Sequence, residues 1–77
     1  TTSFYIDVPQ SGNLLVRVYD VSGRLVNELL NTHVEAGRVS SKWSGKNNFG
    51  VTSPTGIYFL QVETGSHYHV QKLALIK

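Results

Sequence analysis

Apolar and polar residues alternate along most of this chain, and turn residues interrupt the alternation roughly every eight to twelve positions, the signature of short strands. The strongest run is residues 56–62, Gly-Ile-Tyr-Phe-Leu-Gln-Val, where β-branched and aromatic residues follow a turn glycine. Such a composition suits a half-buried pleated surface, so the run is read as a central strand. Its period places Tyr58, Leu60 and Val62 on one face and Ile57, Phe59, Gln61 and Glu63 on the other. The polar end of the second set turns the first set inward.

The same reading divides the rest of the chain. Residues 3–8 alternate with Phe4, Ile6 and Val8 on one face, and Pro9, which has no N–H to donate, ends that strand ahead of Gln10, Ser11 and Gly12. Residues 13–20 put Leu14, Val16 and Val18 inside and Leu15, Arg17 and Tyr19 outside. Asp20-Val21-Ser22-Gly23 suits a tight turn, with Asp accepting from the following backbone and Gly tolerating positive φ. In residues 24–30, the spacing of Leu25, Val26, Leu29 and Leu30 fits a helix as well as a bulged strand, and the strands on either side favour strand. Residues 31–37 read as loop. Residues 38–44 oppose Val39, Ser41 and Trp43 to Ser40, Lys42 and Ser44, which makes Trp43 the largest core side chain. A polar loop from Gly45 runs to Pro54, residues 64–66 turn the chain, and residues 67–77 form the last strand. The seven glycines all fall in loops or at strand edges. About six or seven short strands imply an all-β sandwich or small barrel.

Length and composition narrow this picture. The 77 residues make one small domain, which buries only about 60% of its unfolded surface. Without cysteine, no disulfide or thiolate metal site supports the core. Seven Lys and Arg against five Asp and Glu give a net charge of +2, scattered in ones and twos. Nucleic-acid binding needs a clustered basic face, so no nucleic-acid partner is expected. No apolar run approaches the roughly 18 residues of a membrane span. With neither an initiator methionine nor a charged leader, the chain is expected to be part of a longer protein.

Candidate chemistry is thin. His67 and His69 lie two apart on one strand face and His33 could approach from a loop, but no carboxylate at ligand spacing joins them, so no metal is expected. The loop after Trp43 offers Ser44, Lys46, Asn47 and Asn48 where calcium requires anionic oxygens, which makes it a plain connection. Ser22, Ser44 and Asp20 belong to turns and strand ends, and no Gly-x-Ser-x-Gly elbow is present, so neither catalysis nor a cofactor is expected. Tyr19, Phe49, Phe59 and Tyr68, with Trp43, could form a stacking platform for sugar rings. The plainer alternative buries Trp43 and Tyr58 and lets Tyr19, Phe59 and Tyr68 cover a sheet face or a neighbouring domain.

Several short motifs carry a resemblance. Gly12-Asn13, Val18-Tyr19-Asp20, Gly23-Arg24-Leu25-Val26, Gly37, Trp43, Gly56-Ile57-Tyr58 and the ending Lys72-Leu73-Ala74-Leu75-Ile76-Lys77 resemble the C-terminal sorting domains of the type IX (Por) secretion system. Trp43-Ser44-Gly45-Lys46 through Gly50 to Gly56-Ile57-Tyr58-Phe59 is equally similar to the immunoglobulin-like domain of the flagellar hook-capping protein. Both families imply an immunoglobulin-like antiparallel β-sandwich of about seven strands. The sorting resemblance implies a non-catalytic C-terminal module of a secreted parent protein. Its expected partners are the outer-membrane secretion machinery and the parent's preceding domains, and its destination, by way of the periplasm, is the cell surface or medium. Gly56, Ile57, Tyr58, Lys72, Leu73 and Lys77 would carry the signal, with Lys72 and Lys77 in water. Ser44 stands where these relatives often have an acidic residue, so no role for that position carries over. The hook-capping resemblance implies instead a passive accessory or assembly domain.

Overall fold

Alternating side chains can share one interior only if the strands pair into sheets, and in the computed structural model, which describes residues 2–65 and 67–76, they form two. Six strands are present among the described residues, where about seven were expected: β1 (Thr2–Val8), β2 (Gly12–Asp20), β3 (Leu25–Val34), β4 (Gly37–Trp43), β5 (Gly56–Thr64) and β6 (His67–Leu75). All pairings are antiparallel, in a two-stranded sheet β1-β4 and a four-stranded sheet ordered β3-β2-β5-β6. The connections β1 to β2, β3 to β4 and β4 to β5 cross between the sheets. The result is an immunoglobulin-like β-sandwich.

The inward residues read from the alternation form the core. Ile6, Val8, Leu14, Val16, Val18, Tyr58, Leu60 and Leu75 are buried, and Phe4, Val39, Val62 and Leu73 pack against them. Trp43, 1% exposed, sits in the middle with the Tyr58 ring edge-on to it at 5.0 Å. Its indole N–H donates to the Lys46 carbonyl at 2.9 Å, and the Tyr58 hydroxyl donates to the Pro54 carbonyl at 2.6 Å. A tyrosine that bonds back to the backbone a few residues upstream at the entry to a strand is a recurring corner of immunoglobulin-like sandwiches.

Two expectations are corrected. Residues 31–37 are mostly strand: β3 runs to Val34 and pairs with β2 as far as Gly12, leaving only Glu35 and Ala36 between β3 and β4. Continuing the ladder satisfies backbone groups that a loop would leave to water. The last strand ends at Leu75, with Ile76 exposed and Lys77 outside the described residues. The ambiguous third segment is strand, and two bulges explain its helix-like spacing. Val16 opposes Leu30 while Arg17 opposes Glu28, and Val18 opposes Asn27 while Tyr19 opposes Leu25. Leu29 and Val26 are therefore the extra residues. The bulges let adjacent apolar residues, Leu29 and Leu30, both reach the core.

The β2–β3 turn forms as read. Gly23, at φ +86°, donates to the Asp20 carbonyl at 3.1 Å. The Asp20 carboxylate accepts from the Ser22 hydroxyl and N–H and from the Arg24 N–H at 2.7–3.0 Å. The Ser22 hydroxyl, then the Arg24 N–H, hold its pKa below the usual carboxylate value. A depressed pKa stabilises the fold above the unfolded value of about 3.9 and loses that contribution as pH falls through the lower folded value. Asp20→Asn is thus expected to melt lower than the parent at neutral pH and to show a shallower fall in melting temperature between about pH 4 and pH 2. Parallel melting curves across that acid range would remove Asp20 from the acid response.

Candidate functional site

The polar loop between β4 and β5 is built into the fold rather than offered to a ligand. Lys46 and Thr52 form an isolated bridge, and Asn47 closes a turn in which its side-chain oxygen accepts from the Phe49 and Val51 N–H groups at 2.9 and 3.0 Å. The bulged strand β3 receives this loop. Asn48 N–H donates to the Val26 carbonyl at 3.0 Å, Asn48 Oδ1 accepts from the Glu28 N–H at 3.0 Å, and Asn27 Nδ2 donates to the Lys46 carbonyl at 2.7 Å. That carbonyl also takes the Trp43 indole proton. Among the described strands β3 is an edge strand that pairs only with β2, and the loop supplies partners to its backbone at Val26 and Glu28. The expectation of a plain connection is corrected to a clamp that joins β3 to the core tryptophan.

The outward face of the four-stranded sheet gathers three of the four candidate stacking aromatics. Tyr19 opposes Phe59, which opposes Lys72; Arg17, Gln61 and Val70 form the next row, and Leu15, Glu63 and Tyr68 the one after. Tyr19 and Phe59 are half-buried, while Tyr68 is 62% and Val70 46% exposed. Together with Val21 and Gln61 they line an open depression. Phe49 does not join them. It is 89% exposed at the tip of the β4–β5 loop beside β3, and Trp43 lies in the core, so no single platform holds all the aromatics. Arg17 crosses this face to Glu28 at 3.0 Å, and hydrogen bonds to Tyr19 and then Glu28 raise its pKa.

The histidines do not converge. His67 and His69 occupy inward positions of β6, in register with Thr64 and Val62, whereas His33 stands on the opposite face of β3, across from Asn13. Two faces and two strands separate them. Among the described residues no group of three or more His, Asp or Glu is placed to hold a metal ion.

The residues read as a sorting signal have definite places. Gly56 opens β5, Ile57 lies on the outward face and Tyr58 is core. Leu73 packs inward opposite Tyr58, and Lys72 is exposed opposite Phe59. Lys77 lies outside the described residues. Tyr58 and Leu73 thus have structural duties of their own, Gly56 has room for a side chain, and the exposed members among the described residues are Ile57 and Lys72.

One feature gave no sequence signal. Where β1 and β6 end their sheets, the sandwich stands open along a cleft of about 380 Å³ floored by Phe4, Ile6, Leu60 and Val62, with His69 and Gln71 on its rim. It arises from the unequal widths of the two sheets, which no local pattern records.

Comparison with known proteins places this geometry. The family model described as the FlgD Ig-like domain matches residues 1–67. A solved structure, the crystal structure of FlgD from P. aeruginosa, superposes with a TM-score of 0.73 at 32% sequence identity, covering 94% of this chain and 55% of that one. This chain therefore spans about half of that solved chain. No curated protein matches.

Proposed function

The chain belongs to the family of FlgD immunoglobulin-like domains, and from that membership we propose that it is a non-catalytic accessory or assembly module of the hook-capping type within a larger exported protein. The observation that carries this reading is the superposition on FlgD over nearly the whole sandwich at 32% identity. The disposition of side chains supports it as well. The residues with chemical potential, Asp20, Asn27, Asn47 and Asn48, are engaged by the backbone. Among the described residues the sheet edges and the outward face that mixes Tyr19, Phe59 and Tyr68 with charged side chains stay open, which suits contacts with neighbouring domains or subunits.

The test is a domain replacement. Exchanging the matching segment of P. aeruginosa FlgD for this chain is expected to give cells that still build hooks, seen by electron microscopy. The same exchange carrying Trp43→Ala should not. A stable, exported chimera that leaves cells without hooks would overturn the reading.

The sorting role stands second, and the exposed Lys72 on edge strand β6 is what favours it. A reporter fused ahead of the chain, expressed with an export leader in a host with type IX secretion, distinguishes the two. The assembly reading expects the fusion to stay in the periplasm. Release to the surface or medium, lost in Lys72→Ser with Lys77→Ser, would replace it with sorting.

A further inference from the structure

The depression on the outward face of the four-stranded sheet has a definite chemistry. Its volume of about 370 Å³ is that of a small-ligand site, but it is open on one side and so can cover only one face of what it holds. From the row of Tyr19 and Phe59 to the row of Tyr68 is four residues along β5, about 14 Å at about 3.4 Å per residue, with Gln61 and Val70 in the row between. Among the described residues that line it only Asp20 is charged, and its carboxylate is taken up by Ser22 and Arg24 in the turn. Arg17, beside it, is tied to Glu28 and Tyr19, while Lys72 and Glu63 flank its two ends with opposite signs. The polar groups inside both donate and accept: the Tyr19 and Tyr68 hydroxyls and the Gln61 amide. Those of Gln61 and Tyr68 have no hydrogen-bond partner among the described residues.

We propose that this depression binds a neutral, extended glycan, a β-1,4-linked hexose chain lying along the strands. Sugar rings rest on Phe59 with Tyr19 and on Tyr68, and Gln61 between them bonds to hydroxyls at the rim. A pyranose ring suits a site that covers one face, because its axial C–H bonds make each face apolar and its hydroxyls project from the edge. The negative face of an aromatic ring attracts such C–H bonds. Hydroxyls donate and accept, as the lining groups do, whereas a proline-rich segment lacks N–H groups and offers mainly acceptors. Flanking charges of opposite sign give a charged glycan no net attraction. The β-1,4 linkage keeps the chain flat, as the sheet face requires. The inference goes beyond the assembly role, which the sheet edges can carry, and either can fail without the other.

The probe is cellohexaose, with maltohexaose, whose α-1,4 linkage coils the chain, as control. Titrated into the isotope-labelled chain, cellohexaose is expected to bind with a Kd of about 0.1–1 mM, since only one face of the ligand is covered. Amide shifts should centre on Tyr19, Phe59, Gln61 and Tyr68, and the affinity should not change between about 0.05 and 0.5 M salt, a range over which charge pairing is screened. Tyr68→Ala, at an exposed position, should keep the parent melting temperature and weaken binding about tenfold. Gln61→Leu, which keeps the bulk and removes the amide, should weaken it about fivefold. Phe49→Ala should bind as the parent does, because that ring lies off the face. Absence of shifts at about 1 mM cellohexaose, the weakest Kd expected, would overturn the proposal. So would shifts confined to the Phe49 loop, equal binding of maltohexaose, or parent-like binding by both Tyr68→Ala and Gln61→Leu. A capped proline peptide that shifts the same amides where cellohexaose does not would assign the face to a proline-rich partner. Sedimentation of the chain alone that showed dimers joined through this face would assign it to a second copy, and either result rejects the glycan.

Discussion

Trp43→Ala is expected to leave the chain without a cooperative fold at room temperature. Truncating a buried tryptophan costs about 3–5 kcal/mol, because the lost transfer energy is joined by a cavity that the surroundings only partly fill. Trp43 is 1% exposed and carries the edge-on contact with Tyr58, so little relaxation is available. A domain of this size, with no cysteine to cross-link it, rarely holds more than about 3–5 kcal/mol in its core. The loss therefore matches the whole stability. Trp43→Phe separates packing from the hydrogen bond: a ring still faces Tyr58, but the Lys46 carbonyl keeps only its bond from Asn27. That variant should fold, at a cost of about 1–3 kcal/mol. Circular dichroism and denaturant titration report both outcomes, and a cooperative Trp43→Ala transition within about 0.5 kcal/mol of the parent, a typical surface-mutation effect, would contradict the account.

Gly45→Val should be nearly as damaging, for a reason invisible in the contact list of any side chain. Gly45 holds φ +85°, and a Cβ placed there would lie 3.3 Å from Leu75 Cδ1. The left-handed backbone costs an L residue about 1–2 kcal/mol, more for a β-branched one. Overpacking against Leu75 adds about 1–3 kcal/mol. The backbone cannot simply move, because the Gly45 carbonyl accepts from Ser53 N–H at 2.8 Å. A total of about 2–5 kcal/mol follows from the two terms. Gly45→Ala should fall at the low end, and shortening the neighbour in Gly45→Val with Leu75→Ala should cost less than the sum of the single changes. Strict additivity in that cycle would separate Gly45 from Leu75.

These two residues show how far the sequence could be read. The inward sets Leu14, Val16, Val18 and Tyr58, Leu60 followed directly from alternation, because one face of each strand meets the core. The same period placed Tyr19 and Phe59 together on the outward face. Alternation fails where the ladder does: at Val26 and Leu29 the bulges put two residues opposite one, and the pattern looks helical. Asn27 was legible only as a strand position and Asn48 only as part of a polar loop, since their partners lie about twenty residues away, whereas Asn47 closes a turn with its own neighbours. Phe49 was grouped with the stacking aromatics because composition carries no position. The six segments read from the pattern are the six strands observed among the described residues, and the count of about seven came from the family resemblance.

The central claim is that the β4–β5 loop is a clamp belonging to the folding unit and not a ligand-binding loop. Native-state hydrogen exchange tests it directly at the amides of Glu28, Asn47, Asn48 and Ser53, each donating to a group of the clamp. If the clamp is intact, these four amides exchange only through global unfolding, with the same opening free energy as the core strand residues Val16 and Leu60. Exchange of Asn47, Asn48 and Glu28 at the rate of an open loop, while Val16 and Leu60 stay protected, would contradict the account.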